Sequence, residues 1–379
     1  MASPYKAMAR SKGNQWNPLK AAATAVTILT VVSTGFFIYQ DSQSLYARKQ
    51  QSIPVIVAWT RFFSGDLKTQ LLPTLKGCFY KCHFIERHEQ KLFQQDASAY
   101  VLHGRDINMS DLPPATPRQL KVLMLMESPY HTGSPIHQVP PNYFNATMTY
   151  RRDSRYFFPY GQFVNLSSKD IGRNSGAVYK KKVRSMLKRK TRGALIFVSN
   201  CQTPSKRERV IKELGQYTEV TVRGGCENQL SFGNGTRRFS CKRDCDDDAL
   251  IATHRFYISF ENSLCNDYIT EKFYRRISEL LVPVVMRRRF YEGTDVPPGS
   301  FIALDDFEST KHLGDYLNFL RRNDTAYLKY FEWTKQYQLP TNYTSNALCK
   351  LCEDIYHKES LEVDNIVQYY INNQCLDVR

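Results

Sequence analysis

Short apolar runs recur along the chain, and each closes on a polar turn. Pro54-Val-Ile-Val-Ala-Trp59, Ala99-Tyr-Val-Leu-His103 and Val122-Leu-Met-Leu-Met126 have the length and continuity of strands buried on both faces. Thr60-Arg61, Gly104-Arg-Asp106 and Glu127-Ser-Pro129 follow them. The pattern resumes at Ala194-Leu-Ile-Phe-Val-Ser199, with a helix expected over 206–214 and stopped by Gly215. Thr218 to Val222 alternates as a strand should and ends before Gly224-Gly225. Phe256-Tyr-Ile-Ser-Phe-Glu-Asn-Ser263, a polar turn, a helix and Val282-Pro-Val-Val-Met286 form the next unit. A strand over 300–304 and a helix over 312–322 come after it. Repeated βα units predict mostly parallel, doubly wound sheets, and two such domains would enclose a cleft.

The apolar run from Ala21 to Tyr39 is of another kind. Its 19 residues carry no charge, and as a helix they would span about 28 Å, close to a bilayer core. Lys6, Arg10, Lys12 and Lys20 precede it, so the positive-inside rule puts the N-terminus in the cytosol. A cleaved signal peptide is the alternative, but the run is long for that and lacks a convincing cleavage site. A transmembrane signal anchor over 21–39 is expected, after a cytoplasmic tail over 1–20 and before a stem over 40–52. Beyond it we expect an N-terminal α/β acceptor domain over 53–175, a basic linker over 176–193, a C-terminal Rossmann-like donor domain over 194–348 and a Cys-containing tail over 349–379.

This topology changes how the cysteines and asparagines read. All ten cysteines lie beyond the anchor, as do six sequons at Asn108, Asn145, Asn165, Asn234, Asn323 and Asn342. Both fit an oxidising, glycosylating compartment. Cys349-x-x-Cys352 could be half a zinc site, but neither Cys78/Cys82 nor Cys241/Cys245 completes a finger spacing. Disulfides of unreadable connectivity are the better expectation.

Net charge is +16. Eight of the cations lie between Lys180 and Arg192, which suits a solvated basic linker. No helix-turn-helix, zinc-finger or RNA-binding signature accompanies the charge, so nucleic acid is not expected as a partner.

The chemistry concentrates after Phe256. A turn and helix start carry Glu261, Asn262, Tyr268, Glu271 and Lys272. Asn266 or Asp267 is the expected N-cap, and Tyr268 and Lys272 would then share a helix face. A lysine at the positive end of a helix can hold a pyrophosphate. Taken alone, these residues could also be ordinary surface charges closing the fold.

Residues 256–263 with Asp267-Tyr-Ile-Thr-Glu-Lys272 resemble the donor-binding motif of the α1,3-fucosyltransferases. The likeness continues through Val282 to Val285, Pro297 to Ile302 and Asp305 to Phe307. Asn145 to Ser154 with Pro159-Tyr-Gly161 resembles the second hallmark, and Glu127-Ser-Pro129 the segment of the proposed base. Trp333 and Cys349-x-x-Cys352 also fit, and the resemblance runs in order from about residue 54 to 352. The Asn-Ser-x-Cys-x-Asp spacing around Cys265 resembles the core-type branch slightly more than the antenna-type one.

The resemblance implies a Golgi type II membrane protein of GT-B fold, glycosyltransferase family 10. It implies GDP-fucose as donor, a GlcNAc of an N-glycan core or antenna as acceptor, and inversion at the transferred sugar. Glu127 would be the base; the competing reading pairs it with Arg151 or Arg152 as a structural carboxylate. Arg207, flanked by Lys206 and Arg209, and Lys272 would bind the donor diphosphate. Glu261, Asn262, Tyr268 and Glu271 would contact the rest of the donor. No cofactor or metal ligand is expected: Asp244-Cys-Asp246 and Asp246-Asp-Asp248 mimic a metal motif within a Cys-rich loop, and Mn²⁺ stimulation stays open. Met286-Arg-Arg-Arg289 departs from the glycine common in relatives, which adds charge beside the donor or remodels the loop. The 275–280 helix segment departs as well. Another nucleotide-sugar transferase, or a membrane-anchored glycan-binding protein that lost catalysis, are the alternatives.

Overall fold

The computed structural model describes residues 33–37, 39, 53–71, 75, 77–93, 95–114, 116, 118–167, 183–230, 236–238, 247–340 and 345–378. Two compact units divide the chain at Ile53. In the first, residues 33–37 and Tyr39 are helical, with Phe36, Phe37 and Tyr39 exposed. Most of the expected anchor lies outside the described residues, and no described helix is long and apolar enough to cross a membrane.

The second unit holds two six-stranded sheets, parallel throughout. The first is built from β1 (Val55–Ala58), β2 (His83–Glu86), β3 (Ala99–His103), β4 (Leu120–Leu125), β5 (Ala146–Thr149) and β6 (Tyr156–Phe157), in the order β2-β1-β3-β4-β5-β6. A further strand, β7 (Val164–Asn165), pairs antiparallel with β14 (Tyr337–Gln338). The second sheet has β8 (Arg192–Phe197), β9 (Val220–Arg223), β10 (Thr236–Arg238), β11 (His254–Ile258), β12 (Val282–Val285) and β13 (Ile302–Ala303), in the order β10-β9-β8-β11-β12-β13. Counted within its own sheet this is the 3-2-1-4-5-6 winding of dinucleotide-binding folds. The first sheet winds 2-1-3-4-5-6. Order reverses between β1 and β3 in one sheet and between β8 and β11 in the other, so a crevice opens at the carboxyl ends of those strands.

Five helices matter for the site and its frame: α1 (Arg207–Leu214), α2 (Glu271–Ser278), α3 (Thr310–Arg322), α4 (Ser345–His357) and α5 (Ile366–Tyr370). Helix α1 starts close to the expected position. Helix α2 does not: Thr270 is its N-cap, its hydroxyl accepting the Lys272 N–H. Asp267 stands in the left-handed region at φ 59°, three residues before that cap. The preceding turn is therefore longer than expected.

The basic segment also differs from a solvated linker where it is described. Val183, Leu187 and Lys190 are buried, the first two in the second sheet's core. The Lys190 ammonium donates to the carbonyls of Ile251 and His254. Lys180 to Lys182 lie outside the described residues.

Helix α4 crosses the expected boundary at 348, and the C-terminal segment is no loose tail. Leu348, Leu351, Cys352, Ile366 and Tyr370 are buried in the first sheet's core. Cys349 and Cys352 pair with Cys78 and Cys82, so they form no zinc half-site. Cys201 pairs with Cys226, and Cys265 with Cys375; Cys241 and Cys245 lie outside the described residues. The Cys265–Cys375 bond ties the turn after β11 to the C-terminal segment, alongside Asn266 N–H to Gln374 O at 2.9 Å and Leu376 N–H to Leu264 O at 2.8 Å. Chain elements 110 residues apart are thus locked together.

Candidate active site

The two carboxyl edges meet. Glu127 follows β4 by two residues and is half-buried at the first edge. Ser263 follows β11 at the second edge, and its hydroxyl lies 2.8 Å from that of Ser128. Tyr160, of the second hallmark, donates its hydroxyl to Met126 O at 2.5 Å and packs edge-on to Tyr268. Gly161 must be glycine for this crossing, since a Cβ there would collide with the Tyr274 ring of α2.

Glu127 takes no ion pair with Arg151 or Arg152. Arg151 is spent on Asp153 and on Tyr369 O, and Arg152 on Asp267 and Asp295. The expected pairing partners of a structural Glu127 are thus engaged elsewhere. Burial pushes its carboxyl above the ordinary value, with Arg105 and Lys272 pulling the other way. Its backbone carbonyl accepts the Tyr370 hydroxyl at 2.7 Å, so α5 braces it from behind.

Across the cleft, Arg207 is the first residue of α1, beside the switch point. Lys206 before it sits at φ 54°, the kind of left-handed strain that persists where packing over-determines it. The Arg207 side chain is buried, and it donates to Phe260 O at 2.8 Å and Asn200 O at 3.2 Å. Its Nε has no partner among the described residues. Burial lowers its pKa, and Glu261 opposes that. Lys206 beside it is half-buried and Arg209 is exposed.

Glu261 is buried and organises the start of α2. Its carboxylate accepts from Thr270 N–H at 2.9 Å, from the Thr270 hydroxyl at 2.8 Å, and pairs with Lys272 Nζ at 3.2 Å. Burial pushes its carboxyl up, with Lys272 pulling it down. Lys272 also reaches Glu271 at 3.2 Å. Burial alone would lower its ammonium; Glu261 and Glu271 outweigh this and hold its pKa above the ordinary value. Glu271 is exposed. Asn262 is half-buried, with its side-chain oxygen accepting the Ser263 hydroxyl at 3.2 Å and its carbonyl the Ser205 N–H at 3.0 Å.

Tyr268 shares no helix face with Lys272. It precedes α2 and buries its ring in the first sheet's core against Tyr150 and Tyr160. In the Met286 to Arg289 segment, Met286 is buried, the Arg288 side chain donates to Asp306 and its backbone N–H to Asp305. Asp247 and Asp248 open an exposed short helix, Asp247 lying 3.5 Å from Arg223; Asp244 to Asp246 lie outside the described residues. No group able to hold a metal occurs among the described residues.

Two members of the cluster carried no signal in the chain. Arg105 follows β3 and lies close enough to bear on both Glu127 and His131. His131 sits four residues past Glu127, where only the strand order of the sheet reveals its neighbours. The sequons vary in placement. Asn108 and Asn165 are exposed. Asn145 is half-buried and engaged at both ends of its amide, by Lys121 N–H and Leu361 O. Asn323 caps a helix through Ala326 N–H. Asn234 and Asn342 lie outside the described residues.

Two family models match: "Fucosyltransferase, N-terminal" over residues 51–161, and "Glycosyltransferase family 10 (fucosyltransferase) C-term" over 187–369. The Caenorhabditis elegans protein "Alpha-(1,3)-fucosyltransferase fut-1" is 36% identical over 288 residues, which cover 75% of this chain and 59% of the relative. Drosophila melanogaster "Alpha-(1,3)-fucosyltransferase C" is 30% identical, covering 89% of this chain and 82% of its own. A human 4-galactosyl-N-acetylglucosaminide 3-alpha-L-fucosyltransferase is 29% identical, covering 94% and 97%. The match thus spans less than two thirds of the worm relative and nearly all of the human one. A solved α1,3-fucosyltransferase with GDP-fucose is 15% identical with a TM-score of 0.49, covering 83% of this chain and 94% of that one. By these family matches, over both halves of the second unit, the chain belongs to glycosyltransferase family 10, the fucosyltransferases.

Proposed function

We propose that this protein transfers L-fucose from GDP-β-L-fucose to the 3-hydroxyl of a GlcNAc in a glycan, with inversion. The carrying observation is the opposition across one cleft of a half-buried Glu127, without an ion pair among the described residues, and the cationic pair Arg207 and Lys272. The fold would serve as a GT-B frame, with the acceptor on the first sheet and the donor on the second.

In this reading Glu127 takes the proton of the acceptor hydroxyl. The freed oxygen attacks the anomeric carbon, whose bond to the diphosphate oxygen breaks, and the electron pair leaves with GDP. A carboxylate whose pKa is raised by burial is a stronger base near neutral pH. Arg207 and Lys272 offset charge growing on the leaving group inside a partly dry site. Lys272 is held ready by Glu261 and Thr270, and its link to exposed Glu271 is the one a phosphate would replace. Glu261 acts by placing Thr270 and Lys272, Asn262 by fixing the Ser263 turn. Tyr268 fills the floor between the two halves. The acceptor is an N-glycan core or antenna GlcNAc. Supporting a Golgi membrane setting with the site in the lumen are the apolar 21–39 segment, the described disulfides and the exposed sequons.

Lys272→Ala tests the donor half. It should weaken GDP by roughly tenfold or more, the size of a lost charge-assisted contact. GDP affinity unchanged by calorimetry, in a variant with the wild-type melting temperature, would refute the phosphate role.

A further inference from the structure

The two carbonyls that flank Glu127 each accept a tyrosine hydroxyl. Tyr160 donates to Met126 O at 2.5 Å, and Tyr370 to Glu127 O at 2.7 Å. The Tyr370 proton has one close acceptor, since Leu125 O stands at 3.5 Å. Met126 O belongs to the peptide plane before Glu127, and Glu127 O to the plane after it. A residue has only two soft backbone torsions, and those planes set both. The two hydroxyls therefore hold the Glu127 backbone, and with it the direction in which its side chain leaves the edge of the first sheet.

Each tyrosine is also tied to the turn after β11, which carries Glu261, Asn262 and Tyr268. The Tyr160 ring packs edge-on to Tyr268, with centroids 6.3 Å apart. Tyr370 is followed closely by Cys375, which is bonded to Cys265 of that turn. The C-terminal segment serves both sides: Ile366 and Tyr370 belong to the first sheet's core, while Leu376 and Val378 pack on the second. Near its end, Asp377 accepts the Tyr130 hydroxyl, back in the loop after Glu127. A buried tyrosine needs some acceptor, and one such contact is ordinary. Two that converge on the same cleft carboxylate, one from the second hallmark and one from the C-terminal segment, form a built support.

We propose that Tyr160 and Tyr370 are positioning residues for the base, holding Glu127 in register with the donor turn. This rests on the base role given to Glu127 above. A general base must lie within hydrogen-bond reach of the acceptor hydroxyl while that oxygen faces the anomeric carbon. A small loss of aim is therefore felt in the chemical step and not in donor binding.

Tyr370→Phe keeps the ring and removes only the hydroxyl. With GDP-fucose and core and antenna glycans as substrates, it should lower kcat roughly tenfold, the effect of one lost buried hydrogen bond, and leave GDP affinity by calorimetry unchanged. The acid limb of the kcat profile should move down toward the ordinary carboxylate range, because a loosened carboxyl meets more water. Arg105, Lys272, Glu271 and Glu261 are the charged groups that bear on it. Tyr369→Phe is the control: its hydroxyl bonds Asp153 at 3.0 Å, and its loss should change neither kcat nor the limb. A purely structural hydroxyl would lower the melting temperature and leave kcat per folded molecule and the limb where they were; that result in Tyr370→Phe overturns the proposal. Should that variant not fold, Tyr160→Phe must show the same split. In a Glu127→Gln background either substitution should cost the residual turnover nothing further, and a second tenfold loss there counts against the role. Undiminished transfer in Glu127→Gln alone, or none in the wild type, would sink the base reading and this inference with it. Lost transfer in Glu127→Gln beside a silent Tyr370→Phe would sink this inference alone.

Discussion

A carboxylate two residues past a buried strand has few ways to be useful, and at Glu127 the structural ones are used up by others. Arg151 and Arg152 have their own acids, and Tyr370 holds the Glu127 backbone rather than its carboxylate. Burial raises the pKa of that carboxyl, which suits the proposed base. Only its ionised form can take a proton, so activity should rise with pH through a midpoint above the ordinary carboxylate range. Glu127→Gln should keep GDP-fucose binding and lose transfer by several orders of magnitude, since only proton abstraction is removed. Near-normal turnover in that variant, or an acid limb at an unperturbed carboxylate value, would contradict the role.

At the scale of elements, the strands were legible in the chain because central strands of parallel sheets are apolar on both faces. Val55 to Ala58, Ala99 to His103 and Val282 to Val285 are buried along their whole length. The start of α2 was not legible. Asn266, Asp267 and Thr270 are all competent caps, and tertiary contacts choose: Glu261 binds both the Thr270 N–H and hydroxyl, while Arg152 N–H takes the Asp267 carboxylate. Tyr268 followed the helix in error for the same reason. His254, opening β11, carries an element-level prediction. Its Nδ1–H donates to Leu250 O at 2.6 Å and its Nε2 lies 2.8 Å from the Thr221 hydroxyl, accepting it. Burial lowers its pKa from 6.5 to about 4. A depressed folded-state value means stability complete above the unfolded value and lost as pH falls toward about 4. The melting temperature should drop over that window, and less steeply in His254→Asn, whatever its starting point. Parallel slopes for the two proteins would count against the buried neutral ring.

At the largest scale, the second unit is two wound sheets closed by a C-terminal segment, and that closure was hidden from the chain. Cysteine spacing cannot reveal which partners lie some 270 residues away, and nothing in the tail's sequence signals that Tyr370 will be fully buried behind Glu127. The donor motif was legible because strand, turn and helix are local in sequence. The cleft was not, since Glu127, Arg105, His131, Arg207 and Lys272 come together only through strand order. The strands on either side of each switch point, four to six residues long, place these groups.

The central claim is a transfer, and its product is the most direct witness. The protein should be incubated with GDP-fucose, GDP-mannose or UDP-sugars and a panel of core and antenna glycans, and the product's linkage located by fragmentation. The account predicts an added fucose, from GDP-fucose alone, on O3 of a GlcNAc in α configuration. A sugar delivered from another donor, fucose on another position, or a bound glycan that is never modified would contradict it.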